Sequence, residues 1–109
     1  MLKSYNKLVR DLIPSILEKN NHRGNFKTLT MSEFKLALME KLDEEVREVI
    51  NAPENDIEEE IADLLEVLQA IYKAYNLSEK RIIDLKDAKK ISRGAFDKKL
   101  FLTNVEIDE

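Results

Sequence analysis

The residues able to do chemistry in this chain are carboxylates. Glu44, Glu45 and Glu48 stand in "EEVRE", and Glu60 and Asp63 in "EIAD". A helix turns about 100° per residue. On that angle Leu38, Leu42 and Val49 lie within about 60° of Glu45, so Glu45 falls inside an apolar stripe and Glu48 on its edge. Leu64 and Ile71 lie within about 40° of Glu60, and Asp63 falls on the edge of that stripe. Two successive helices thus each offer two carboxylates at i and i+3, one inside and one bordering a buried face.

Height agrees with angle. A chain folded back at "NAPEN" sets Glu48 about 5 Å above the turn and Glu60 about 8 Å, at a rise of about 1.5 Å per residue. Glu45 and Asp63 lie about one turn higher. All four are expected at one level between antiparallel helices. Four anions at a partly buried interface repel unless protons or cations neutralise them. The nearest bases in sequence, Lys41 and Arg47, are expected to point elsewhere on the helix. An all-oxygen set without His or Cys suits a hard cation, Mg²⁺ first and Mn²⁺ second. Mg²⁺ bound this way keeps waters and accepts phosphate oxygens, which suits phosphate-ester chemistry. A Glu-rich helix is ordinarily a solvated surface, and Asp43, Glu54, Glu58 and Glu66 read that way. Glu44, beside the cluster, could hold a water or a base.

Four helices must position these groups. The first is expected over about 7–20, with Pro14 kinking or restarting it. The polar "NNHRGNFKT" follows as a loop. The second opens near Thr30, where Thr30 and Glu33 form a capping-box pattern and Ser32 is a rival cap. Its stripe is Phe34, Leu38, Leu42 and Val49, and Pro53 ends it. Asn55 with Glu58, or Asp56 with Glu59, is expected to cap the third. The stripe there is Ile57, Ile61, Leu64, Leu68, Ile71 and Tyr75. The short connection makes the second and third helices antiparallel. Ser78 is expected to cap a fourth helix over about 79–92, with Ile82, Leu85, Ala88 and Ile91 inward and Gly94 ending it. Phe96, Leu100, Phe101 and Leu102 of the tail can pack on the bundle.

Composition agrees with an all-α antiparallel bundle. The chain has 109 residues, the length of one domain, with two glycines, two prolines and no cysteine. Thiolate catalysis, disulfides and Cys-based zinc sites are therefore excluded. No apolar run reaches the roughly 20 residues of a membrane span, and the N-terminus lacks a signal-peptide core. A soluble, cytoplasmic protein is expected. Residues 40–66 hold twelve acids and two bases, a balance of −10, so the remainder carries +6 of the overall −4. An acidic centre between basic arms is not the continuous basic face of a nucleic-acid binder. His22, in a polar loop, reads as solvated, and no Ser–His–Asp, P-loop or dinucleotide signature occurs.

"EEVRE" followed after eleven residues by "EIAD" resembles the EExxE…ExxD signature of the all-α nucleotide pyrophosphohydrolases. "YNKLVRDLIP" and "KKISRGAF" are similar to the phosphoribosyl-ATP pyrophosphohydrolase-like, MazG-related branch. The similarity spans roughly residues 5–101. It implies Mg²⁺ held by Glu45, Glu48, Glu60 and Asp63, the four that angle and height single out. It also implies hydrolysis of a nucleoside triphosphate, or a related nucleotide, to a monophosphate and pyrophosphate by a homodimer or homotetramer. Lys7, Arg10, Lys89 and Arg93 match the flanking motifs by position. As phosphate-binding groups they would stabilise the leaving pyrophosphate; otherwise Lys7 and Arg10 make surface ion pairs of little worth. Glu44 or Glu45 would orient or deprotonate the attacking water. Relatives that read RGGF have glycine where this chain has Ala95, which takes positive φ less freely. Two other readings stand beside nucleotide housekeeping: hydrolysis of phosphoribosyl-ATP in histidine biosynthesis, and a non-catalytic helical module with an acidic patch.

Overall fold

In the computed structural model, which describes residues 1–108, the chain is all-helical. Four helices occur: α1 (Ile13–Lys19), α2 (Met31–Asn51), α3 (Ile57–Ala74) and α4 (Glu79–Arg93). They fall into two compact units, Met1–Leu77 and the part from Ser78 onward.

Local chemistry sets where each helix of the first unit begins. Pro14 sits in the first turn of α1, where its missing N–H costs no helical hydrogen bond. The expected helix over 7–20 is thus shortened, and residues 7–10 carry no regular structure. At Thr30 the chain is extended. The Thr30 hydroxyl accepts from the Glu33 N–H at 3.3 Å while the Glu33 carboxylate accepts from the Thr30 N–H at 2.9 Å. This reciprocal pair satisfies donors that the first helical turn leaves orphaned. α2 ends where Ala52 returns to extended backbone before Pro53. The expected side-chain cap on α3 is absent. A single 3₁₀ turn, Glu54–Asp56, feeds straight into the helix, so Asp56 is already helical in backbone and its side chain makes no capping bond.

α2 and α3 pack against each other along their lengths. Leu38 meets Val67, Ile71 and Ala74 far from the turn, whereas Glu45 meets Glu60 and Asp63 nearer to it. The two helices are therefore antiparallel. Leu38, only 3% exposed, is the most deeply buried of the core residues, with Leu8, Phe34, Leu42 and Ala70 packed around the cluster. On α3 the buried line runs through Val67, Ile71 and Ala74, and Ile61 and Tyr75 are more exposed than their expected core places. A pair of helices buries a narrow seam with steps of three and four, not a broad stripe. The seam on α3 passes through Ile57, Glu60, Leu64, Val67, Ile71 and Ala74, and on α2 through Leu38, Leu42, Glu45 and Val49. Glu45 and Glu60 each occupy a position where this spacing calls for an apolar residue.

The second unit is organised around α4. Ser78 caps it by accepting from the Arg81 N–H at 3.2 Å, and Gly94 leaves it with φ of +84° while its N–H donates to the Lys90 carbonyl. The expected inward face is not found. Nine of the fifteen residues of α4 are charged, leaving too few apolar side chains for a core, and none is buried. Ile82 is half-buried, whereas Leu85, Ala88 and Ile91 are exposed. Phe96, Leu100, Phe101 and Leu102 are likewise exposed in a tail without regular structure. No helix among the described residues is long and apolar enough to cross a membrane.

Candidate metal centre

The α2–α3 seam delivers three carboxylates to one point. One oxygen from each of Glu45, Glu60 and Asp63 lies within 4.8 Å of the others. Glu45 is only 9% exposed, and Glu60 and Asp63 are half-buried. Glu48 stands outside this tight group, on the exposed flank of α2. Three residues beyond Glu45, it leaves the seam, but its charge still reaches Glu60.

The electrostatics divide the cluster. Burial pushes the Glu60 carboxyl above its usual pKa, and the charges of Glu48, Asp63 and Glu45 push it further. Neither Glu60 nor Glu48 has a basic side chain at ion-pair distance among the described residues. Glu44 is the opposite case. Burial opposes its ionisation, but Lys7 and Lys41 overcome this and hold its pKa below the usual carboxylate range. Lys7 Nζ lies 3.2 Å from Glu44 Oε1, and Lys41 Nζ lies 3.3 Å from Glu44 Oε2. Both oxygens of Glu44 are thus engaged.

Lys41 overturns an expectation. Its ammonium faces the cluster, 3.4 Å from Glu45 Oε1. The reason is one helical turn: residues four apart share a face, so Lys41 lies over Glu45. Arg47, by contrast, pairs with Asp43 at 3.0 Å on the exposed side, as its angle predicts. The i, i+4 spacing to Glu45 was the sequence signal for Lys41.

The segment before α1 supplies two more cations. Leu8 packs against the core and fixes its flanks, so that Lys7 reaches Glu44 and Arg10 Nη2 reaches Asp63 Oδ1 at 2.8 Å. Both pairs are substantially exposed, so each stabilises little by itself. Lys7 Nζ also lies 5.8 Å from the Tyr5 ring centroid. The remaining basic candidates, Lys89 and Arg93, are exposed on α4 in the second unit.

Three oxygen donors on two packed helices fit a hard cation, which would relieve the repulsion at Glu60 and leave coordination positions for water or phosphate oxygens. The donor set holds no soft ligand and therefore gives no preference for zinc or copper. No family model matches the chain, and no curated protein or solved structure matches it.

Proposed function

We propose that the protein is a Mg²⁺-dependent nucleotide pyrophosphohydrolase, with Mn²⁺ as an alternative ion. The observation that carries this reading is the convergence of Glu45, Glu60 and Asp63 within 4.8 Å, two of them set into an apolar seam. Exposed acids gather on many helices without consequence. Acids that take core positions and repel one another carry a cost that a bound cation removes. The resemblance of "EEVRE…EIAD" and its flanks to the all-α pyrophosphohydrolases points to the same reaction.

In this reading Glu45, Glu60 and Asp63 hold the ion and Glu48 supports it from the rim. The bound ion would polarise phosphate oxygens and lower the pKa of a coordinated water. Lys7 and Arg10 exchange their carboxylate partners for phosphate oxygens of the substrate, and Lys89 and Arg93 are further phosphate-binding candidates. Water attacks the α-phosphorus, the α–β bridging P–O bond breaks, and pyrophosphate leaves with the bridging oxygen. A carboxylate accepts the water's proton, and Glu44 can do so once Lys7 or Lys41 has turned to phosphate. Glu45 is the other candidate for this role.

A substrate panel tests the reading. Common and damaged nucleoside triphosphates and phosphoribosyl-ATP are each incubated with Mg²⁺, and pyrophosphate is measured. Mg²⁺-dependent pyrophosphate release from at least one is expected. Activity on phosphoribosyl-ATP alone would assign the protein to histidine biosynthesis in place of nucleotide housekeeping. Undiminished release in chelator, or no release from any substrate, overturns the proposal.

Self-association belongs to the same proposal. Leu36, Met39, Val46 and Ile50 lie within about 80° of one another on α2, away from Leu38, and all are exposed. Ile61 and Leu65 are exposed on α3. We infer that these residues form an interface between copies of the chain, which a homodimer or homotetramer would cover. Light scattering at micromolar concentration is expected to give a multiple of 12.7 kDa; a monomer would contradict it.

A further inference from the structure

We propose that Lys41 is a tethered counter-cation that sets the metal affinity of the centre, an inference that rests on reading the three carboxylates as a metal site. Its ammonium lies 3.4 Å from Glu45 Oε1 and 3.3 Å from Glu44 Oε2. Glu45 is therefore shared, with one oxygen on Lys41 and the side chain within the three-carboxylate group. The Lys41 side chain is only 19% exposed, which is unusual for a residue that normally keeps its charged end in water.

Two basic side chains pair with members of the three-carboxylate group, Arg10 with Asp63 and Lys41 with Glu45, while Lys7 reaches only the neighbouring Glu44, and the three are not equivalent. Lys7 and Arg10 hang from a segment without regular structure, and their side chains are far more exposed than that of Lys41. Water and salt screen their charges, and both are free to swing away. Lys41 is fixed to α2 one turn from Glu45 and stands in the least screened position. Its positive charge opposes a divalent ion while compensating Glu44 and Glu45 in the ion's absence.

The consequence concerns how the site fills. Lys41 keeps affinity for a bare ion low. A phosphate group brought to the centre offers the ammonium another anionic partner, so the ion is held better together with a phosphate than alone. The residue thereby biases the centre toward an ion that arrives with its phosphate ligand.

Titration with MgCl₂ alone, followed by calorimetry and by thermal melting, tests this on the full chain. Lys41→Met keeps the apolar stem and removes the charge, and Lys41→Gln provides a second neutral variant. Both are expected to bind Mg²⁺ roughly tenfold more tightly than the parent, as removal of a nearby like charge at low effective dielectric requires. Lys41→Arg is expected to bind within about twofold of the parent because the charge is restored. Arg47→Met, on the exposed side of α2 where Arg47 pairs with Asp43 at 3.0 Å, is expected to change affinity by no more than about twofold. Unchanged or weaker binding in both neutral variants overturns the role of Lys41 and leaves the metal centre standing. Absence of Mg²⁺ binding in the parent and both neutral variants overturns the metal centre itself.

Discussion

Glu60→Gln is expected to raise the melting temperature of the protein in chelator and to abolish its further rise on adding Mg²⁺. Pyrophosphate release should fall by about a hundredfold or more, since losing several kcal/mol of charge stabilisation is worth at least two factors of ten. The opposite signs in the two conditions make this result informative. Without metal, Glu60 is a carboxylate at a seam position, disfavoured first by burial and then by Glu48, Asp63 and Glu45. An amide of the same shape removes that repulsion. With metal, the same substitution removes a charged ligand. The pH dependence follows from the raised pKa. The native state holds the Glu60 proton more tightly than the unfolded chain, so stability falls as pH rises from the ordinary carboxyl value of 4.5 through the raised native value. Acidifying the metal-free protein from neutrality toward that ordinary value should therefore stabilise it. Glu44 acts in the other direction: its lowered pKa gives stability that is lost only as pH falls below the ordinary carboxyl value of 4.5. Glu60→Gln should flatten the first arm and leave the second. Asp63→Asn is a contrasting variant. It also removes a ligand, but it weakens the Arg10 ion pair, so its gain in chelator should be smaller. Melting curves in chelator and in Mg²⁺ across this pH range check all of this. Mg²⁺-dependent stabilisation that survives in Glu60→Gln would contradict it.

Glu45, Glu60 and Asp63 are legible in the sequence because helix angle and rise are fixed by backbone geometry. The same arithmetic applied from Glu45 back to Lys41 gives a shared face, so the facing ammonium was legible and was misread. Glu48 shows the limit in the other direction. An i+3 partner lies near the seam in projection, but the seam between α2 and α3 is too narrow to enclose it. Start signals were readable where they are local: Thr30 with Glu33, and Ser78. The α3 core was readable only in part: Ile71 is buried as expected, but Ile61 and Val67 are both good apolar residues and only the packing partner chooses between them. The inward face expected on α4 is missing for a related reason. Its apolar residues predict burial, but a sequence does not state against which surface.

Leu38→Ala should be the most damaging substitution in the core, costing about 3–5 kcal/mol, the range for large-to-small changes at sites that cannot collapse. Leu38 is 3% exposed and meets Val67, Ile71 and Ala74, which with it make up the whole buried cluster. A unit of 77 residues is expected to be stable by about 4–12 kcal/mol, so this loss takes a large share of the total. Ile61→Ala offers the contrast. Ile61 was expected in the core but is 49% exposed within the chain, so its truncation should cost the fold of one chain less than about 1 kcal/mol and fall instead on the proposed self-association. Chemical denaturation in chelator separates the two. The metal centre adds a second test. Leu38 lies two turns from Glu45 on the same seam, so loosening that seam also loosens the site. Binding to the native state alone stabilises it by about 2.7 kcal/mol at a hundred times the Kd. Mg²⁺ should therefore restore much of the stability of Leu38→Ala, and restore none in the double variant with Glu60→Gln. Equal recovery in both would mean that the ion acts elsewhere on the chain, and that the carboxylates in the seam are not its ligands.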